Sequence, residues 1–380
     1  MREVELGEVL EYEQPTNYIV ESTFYSDDYD VPVLTAGKSF LLGYTNESEN
    51  VFKDVPVIIF DDFTTAIQYV DFEFKVKSSA MKILKPKKEM ADIRYLFHRM
   101  SAITFEAEQH KRYWISKYSK IKIPLPPLPI QQKIAEVLDT ADRIRRRHEQ
   151  ILKKYDQLAQ SVFLEMFGDP VKNEKGWERV KLSKIIIEGP TNGLYKPSKD
   201  YSSGCPIIRI DSFYNSWVNT NFLRRVRASS EEIIRYEIKE GDFVINRVNS
   251  PSHLGKCGLV PKLNERVVYE SNMMRIRFDK SKVSNQYMLY TLSSKALKNQ
   301  ILNASKDAVN QSSINQKDVN NFTVLLPPFE IQNQFTSIID KIEQQKQQAK
   351  AELDKSEELF QSLMQRAFRG ELEFRELELN

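Results

Sequence analysis

The chain is poor in the residues that build covalent or metal-held scaffolds. Its two cysteines, Cys205 and Cys257, stand far apart with no Cys-x-x-Cys spacing, which excludes a disulfide framework or a zinc knuckle and fits a reducing cytoplasm. Four histidines, His98, His110, His148 and His253, fall in different segments without ligand spacing. Long apolar runs are missing: "VPVIIF", ending at Phe60, is strand-sized, too short to cross a bilayer. The acidic start "MREVELGEVLEYE" lacks the basic-then-apolar order of a signal peptide. No glycine-rich loop suits a methyl donor or a dinucleotide. The Gly-Lys-Ser of "PVLTAGKSF" is not a nucleotide loop, because the required first glycine is replaced by Pro32, which has no N–H to turn toward phosphate. Leu326-Pro327-Pro328-Phe329 carries leucine where amino-methyltransferases need Asn or Asp, so it reads as the start of a helix.

What is present is segregated charge. The formal net charge is only +2, yet residues 1–74 carry 3 basic and 16 acidic side chains, residues 75–120 carry 12 and 4, and residues 171–320 carry 25 and 15. Such separation suits a protein that holds a polyanion on one face and shows an acidic face elsewhere.

An internal repeat organises the whole chain. "LPPLPIQQKIAEVLDTADRI" from Leu125 and "LPPFEIQNQFTSIIDKIEQQ" from Leu326 align without gaps at an offset of 201, matching Gln131 to Gln332 and Asp139 to Asp340. Each copy begins at a Pro-Pro and runs on without proline or glycine, so each predicts a long helix. At 1.5 Å per residue the first, Ile130 to Phe167, would be a rod roughly 57 Å long. Ile134, Val137, Ala141, Ile144, His148, Ile151, Tyr155 and Leu158 recur at steps of three and four, a heptad seam. In the second copy Phe335, Ile338, Ile342, Ala349, Leu359 and Leu363 fit the seam, while Gln345, Glu352 and Ser356 interrupt it. The two are expected to pair antiparallel, with His148 near Ala349 as a packed polar residue setting register. The fold class is therefore α+β, two globules separated by two long helices in an antiparallel coiled coil with a pseudo-two-fold repeat. The expected boundaries are 1–121 and 171–321 for the globules, with 122–170 and 322–380 for the helices. Strands are expected at Val55–Phe60, Phe72–Val76, Pro206–Ile210, Phe243–Asn246 and Met273–Phe278, and weaker helices at Ile93–His98 and Tyr287–Ile301.

Asp62 with Glu73 and Lys75 matches the loose Asp…Glu-x-Lys pattern of metal-dependent nucleases, but the pattern is common by chance and also describes an acidic turn before a strand. Clusters of basic and small polar residues are more informative. The first globule offers Thr35, Lys38 and Ser39 on a turn, and Lys75, Lys77, Ser78, Ser79, Lys82 and Lys85 in a basic run. The second offers Arg209, then Arg247, Asn249, Ser250 and Lys256, and then Asn310, Gln311, Ser312 and Ser313. Lysine and arginine hold phosphates or guanine edges, and Asn and Gln can pair with adenine, so these are DNA-contact candidates. Lys38 is the charge expected to reach DNA from the first turn.

With the repeat in hand, the chain resembles the specificity subunit of type I restriction-modification systems. The resemblance rests on the paired "LPP…IQ" helix starts, on "FQSLMQRAFRGEL" at Phe360, on "GWERVKLSKI" from Gly176, and on "GDFVINRVNS" and "NQSSIN" within the second globule. It implies two target-recognition domains that each read a half-site of double-stranded DNA, and helices that act as a ruler between them. It also implies no catalytic activity and no cofactor in this chain. Two methyltransferase (modification) subunits and restriction/translocase subunits would supply S-adenosylmethionine, ATP and Mg²⁺ chemistry in the cytoplasm, with no membrane involved. The first globule carries "EAEQHKRYW" where the second has "NQSSIN", so the site is expected to be asymmetric. A type IIB recognition subunit, or a coiled-coil protein-interaction scaffold, shares this plan and stays open at this point.

Overall fold

The structure, a computed structural model, describes residues 2–36, 39–87, 89–104, 113–214, 216–308 and 311–372. Lys38, His110, Asn310 and most of "EAEQHKRYW" lie outside them. The chain forms two compact units. Unit 1 takes Met1–Gln150 together with Ala349–Asn380, and unit 2 takes Ile151–Gln348. Each globule thus groups with half of each long helix rather than with one whole helix.

In unit 1 a four-stranded antiparallel sheet runs in the order Leu10–Glu13, Met81–Pro86, Val57–Asp61, Ile67–Val70. All five residues of Val57–Asp61 are buried, because both faces of the strand are covered, which is why "VPVIIF" reads as an unbroken apolar run. Val57 and Ile59 join Leu34, Phe52, Phe74 and Val76 on one side. Ile58 and Phe60 join Tyr95, Trp114, Tyr118 and the helix residues Ile134, Leu138, Met364 and Ala367 on the other. A smaller sheet sets Val31–Leu34 between Leu41–Thr45 and the parallel Lys75–Val76.

Unit 2 has a five-stranded sheet, Ile186–Asn192, Met273–Phe278, Phe243–Asn246, Cys257–Leu259 and Ser216–Trp217 in spatial order. A four-stranded sheet orders Arg224–Val226, Cys205–Ile208, Val267–Tyr269 and Glu237–Ile238, and a three-stranded one orders Val248–Asn249, Gln311–Ser313 and Lys306–Ala308. Phe243 and Ile245 face the core shared with Phe163, Phe167 and Phe335 of the long helices, whereas Val244 faces the opposite core with Phe213 and Val267.

The long helices are Leu128–Phe167 and Phe329–Arg369. Within each unit their halves run antiparallel: Arg145 meets Glu357 in unit 1, and Lys346 meets Asp156 in unit 2. Two features of the expected seam are corrected. Ile144, Leu158, Ile338 and Leu359 are 43%, 47%, 38% and 51% exposed, and the partner-facing positions are the next residues along, Arg145, Ala159, Ile339 and Phe360. Counting apolar side chains alone selects the wrong neighbour, because the Arg145 guanidinium lies over the Phe360 ring and at the same time pairs with Asp142, Glu149 and Glu357. On the shifted seam Gln345 and Glu352 are no longer interruptions, since Lys346 and Leu353 occupy the half-buried positions. His148 meets Ser356 rather than Ala349, one heptad farther along, with Nδ1 and Oγ 3.2 Å apart. Ser356, which breaks the apolar pattern, is therefore the buried polar partner of the other off-pattern residue.

Both units close the same device around the repeated glutamine. In unit 1 the amides of Ile130 and Gln131 both donate to Pro127 O. The Gln131 side chain takes Pro126 O at 2.8 Å and Met90 O at 3.1 Å, and its Oε1 accepts from Asp92 N at 2.9 Å. In unit 2 Gln332 donates to Pro327 O (2.9 Å) and Lys282 O (3.1 Å) and accepts from Ser284 N (2.9 Å). Asp92 and Ser284 are the N-caps of the helices Ile93–Ser101 and Asn285–Leu292, so one buried amide per unit joins a short helix to a long one. The third residues of those short helices repeat as well: Tyr95 Oη donates to Pro124 O at 2.6 Å, and Tyr287 Oη to Leu325 O at 2.7 Å.

Candidate nucleic-acid interface

In unit 1 the candidate turn and the basic run leave the sheet side by side. Val33 pairs with Lys75 and Leu34 with Val76 in parallel, and Lys77 N donates to Leu34 O at 2.8 Å. Thr35 N then closes its turn on Phe40 O at 2.7 Å. Thr35, Ser39, Lys77, Ser78 and Ser79 are thereby gathered at one end of the small sheet, with Ser39, Lys77 and Ser79 exposed. Tyr25, which residue-type reasoning passed over, joins them: its hydroxyl lies 3.4 Å from Lys77 Nζ. A Cβ at Gly43 would stand 2.9 Å from Tyr25 Cβ, so only glycine lets the aromatic sit there.

Lys75 and Lys82 do not belong to this face. Lys75 is buried, with Nζ 2.9 Å from Glu47 and 2.8 Å from Glu49 O. Lys82 is buried 3.6 Å from Asp62 and over the Tyr12 ring. They offset part of the acidic surplus of residues 1–74 inside the unit. Lys85 is likewise held, between Glu13 and Asp54. The nuclease pattern also dissolves: Asp62 accepts the Tyr113 and Trp114 amides, Glu73 pairs with Lys53, and Lys75 goes to Glu47. Among the described residues no group of His, Cys, Asp and Glu could hold a metal ion.

In unit 2 two motifs that are distant in sequence become neighbours. Asn249 pairs with Ser312 and Val248 with Ser313 across an antiparallel ladder, and Ile314 N donates to Arg247 O at 3.0 Å. Gln311 is exposed, Asn249 and Ser250 are half-buried, and Ser312 is buried. Arg247 reaches Ser271 O at 3.2 Å. Ser271 lines a cavity of about 380 Å³ with Lys196, Tyr201, Arg209, Arg224 and Asn272. Arg209 lies over the Tyr201 ring and 3.2 Å from the buried Glu270, which also accepts Ile210 N. Lys256, bonded through its carbonyl to Asn246 N, is buried with Nζ 3.2 Å from the Tyr214 ring centre. Other arginines of the unit are structural: Arg275 and Arg277 converge on Glu188, and Arg277 also holds Asp242. Tyr214 carries neither an amide nor a charge, so residue type alone does not single it out. The sequence signal available was "FYN", an aromatic pair beside an amide.

The type I restriction-modification DNA specificity domain matches this chain twice, over residues 1–154 and 174–355. The chain belongs to that family. Within the type I specificity family it is 30% identical over 365 residues to the type I restriction enzyme EcoR124I/EcoR124II specificity subunit of Escherichia coli, covering 89% of this chain and 85% of the relative. It is 31% identical over 278 residues to the EcoKI specificity subunit of Escherichia coli K12, covering 68% and 59%. The S subunit of a type I restriction-modification system from M. genitalium shares the fold at a TM-score of 0.60 and 13% identity, over 97% of this chain and 96% of that one. The specificity-family fold, a mixed helix and sheet architecture with an internal repeat, is thus the one the paired "LPP…IQ" motifs imply, and DNA sequence specificity for a type I system is the function that goes with it.

Proposed function

We propose that the chain reads an asymmetric bipartite site in double-stranded DNA, one half through each unit, and catalyses nothing itself. It holds two modification subunits on the site, and restriction subunits join them; S-adenosylmethionine, ATP and Mg²⁺ belong to those partners. The observation that carries this reading is the repetition of one frame with different recognition surfaces. Each unit fixes its globule to an antiparallel helix pair by the same buried glutamine. Yet unit 1 offers a turn and a strand end with Lys77, whereas unit 2 offers a ladder of Asn249 and Ser312 beside Arg247. Different side chains on a common frame favour different half-sites. Two modest readers joined by stiff helices gain through effective concentration when helix length matches the groove spacing.

The test is the base-resolution adenine methylome of a host expressing this chain with its modification subunit, against the modification subunit alone. The expected result is a two-part asymmetric motif present only with the chain. A stable complex with active methyltransferase and no new motif would point to a scaffold instead.

A further inference from the structure

Lys256 is 6% exposed, and its ammonium is buried without a hydrogen bond. It sits 3.2 Å from the centre of the Tyr214 ring, which is itself 67% exposed. Two more buried polar atoms on the same strand and turn also go unsatisfied, Asn246 Oδ1 and Arg247 Nε. Asn246 N donates to Lys256 O and Gly255 N to Asn246 O, so Asn246 and Lys256 are neighbours in the turn, while the adjoining Arg247 sends its guanidinium to Ser271 O. Buried polar atoms are satisfied in the great majority of cases, and an unpartnered buried ammonium beneath an exposed ring marks a site for something else. A second amine stands close by: Lys298 donates to Pro251 O and Leu254 O, and burial together with the Lys256 charge pushes its pKa down. Among the described residues neither lysine makes an ion pair with a carboxylate. Two cations without an acid, under an exposed aromatic ring, suit an anion that carries an apolar face.

We propose that Lys256 and Tyr214 together grip one nucleotide of the half-site read by unit 2, the ammonium taking a backbone phosphate and the ring stacking on the sugar or base. This rests on the DNA-specificity reading. In the free protein the ring covers the ammonium as a cation–π partner. A side-chain rotation of Tyr214 exchanges that contact for a stronger charge-assisted hydrogen bond to phosphate. The backbone can stay in place, because the preceding Phe213 is seated on Gly258, where a Cβ would fall 2.7 Å from Phe213 Cγ. An aromatic face and a cation on one nucleotide is a general means of holding nucleic acid.

The test uses the full chain assembled with its modification subunits and a duplex carrying the site from the methylome. Binding is followed by fluorescence anisotropy across a salt series. Lys256→Met should weaken binding about ten-fold at low salt and reduce the slope of log K against log salt by about one. The same variant should raise the thermal midpoint, because it removes an unpaired buried charge. Tyr214→Ala should weaken binding less at high salt when Lys256 is already Met than when it is not, the two sharing one nucleotide. Unchanged affinity and slope in Lys256→Met, or its failure to fold, would overturn the inference. Salt-independent or absent binding by the wild-type complex would instead overturn the DNA reading on which it rests.

Discussion

Replacing Gln131 or Gln332 by alanine removes the link between a short helix cap and the start of a long helix. Each side chain makes three hydrogen bonds, all to main-chain groups, and each is fully buried. At about 1 kcal/mol net per bond the loss is about 3 kcal/mol, and the better helix propensity of alanine returns a few tenths. The orphaned groups in unit 1 are Asp92 N–H, Met90 O and Pro126 O, and those in unit 2 are Ser284 N–H, Lys282 O and Pro327 O. Native-state hydrogen exchange reads the effect directly at the Asp92 and Ser284 amides, where about 3 kcal/mol corresponds to exchange roughly 100-fold faster. Gln131→Glu should be worse than Gln131→Ala, because a carboxylate keeps the Asp92 bond but faces two carbonyls it cannot donate to. A loss under about 1 kcal/mol, or glutamate better tolerated than alanine, would refute the reasoning, since three satisfied bonds predict more.

Inserting seven residues into both long helices at facing positions adds about 10 Å. That is about three base pairs of duplex rise, and the methylome should show unchanged half-sites with a longer spacer; an unchanged spacer would sink the ruler idea. Burial opposes ionisation of the Asp139 carboxyl, but the hydrogen bond and charge from His98 and the charge of Arg94 outweigh it and hold its pKa below the ordinary value. A depressed folded pKa adds stability above the unfolded value, about 3.9, and loses it as pH falls through the folded one. Urea midpoints of wild type and Asp139→Asn should therefore differ at pH 5–7 and converge below about pH 4, and a gap that persists to the lowest pH would contradict this role.

The long helices were the most legible elements, because forty unbroken residues after Pro-Pro admit little else; Phe243–Asn246 and Met273–Phe278 are read at their observed limits. Tyr287–Ile301 is two helices, Asn285–Leu292 and Lys295–Ala304, because Ser294 caps the second and ends the continuity. Phe72–Val76 shrinks to the pair Lys75–Val76. Four of the fourteen seam positions differ, Ile144, Leu158, Ile338 and Leu359, since helix contact depends on reach and size as well as polarity, and Arg145 and Ala159 fill places that a hydrophobicity pattern assigns to Ile144 and Leu158. The candidate nucleic-acid surface was least legible. Lys75 and Lys77 differ by two positions and in sequence look alike, yet one closes an internal ion pair and the other faces water.

The division of each helix between two units bears on the order in which the chain matures. Unit 2 is continuous, Ile151–Gln348, and has all its parts once that stretch has left the ribosome. Unit 1, made first, lacks Met364 and Ala367 of its core until the far end of the second long helix has been synthesised. At 5–20 residues per second the delay from the end of its first segment is roughly 10 to 40 s. The globule begun earliest is therefore completed last, and in the interval Ile134 and Leu138 stand without the surface meant to cover them.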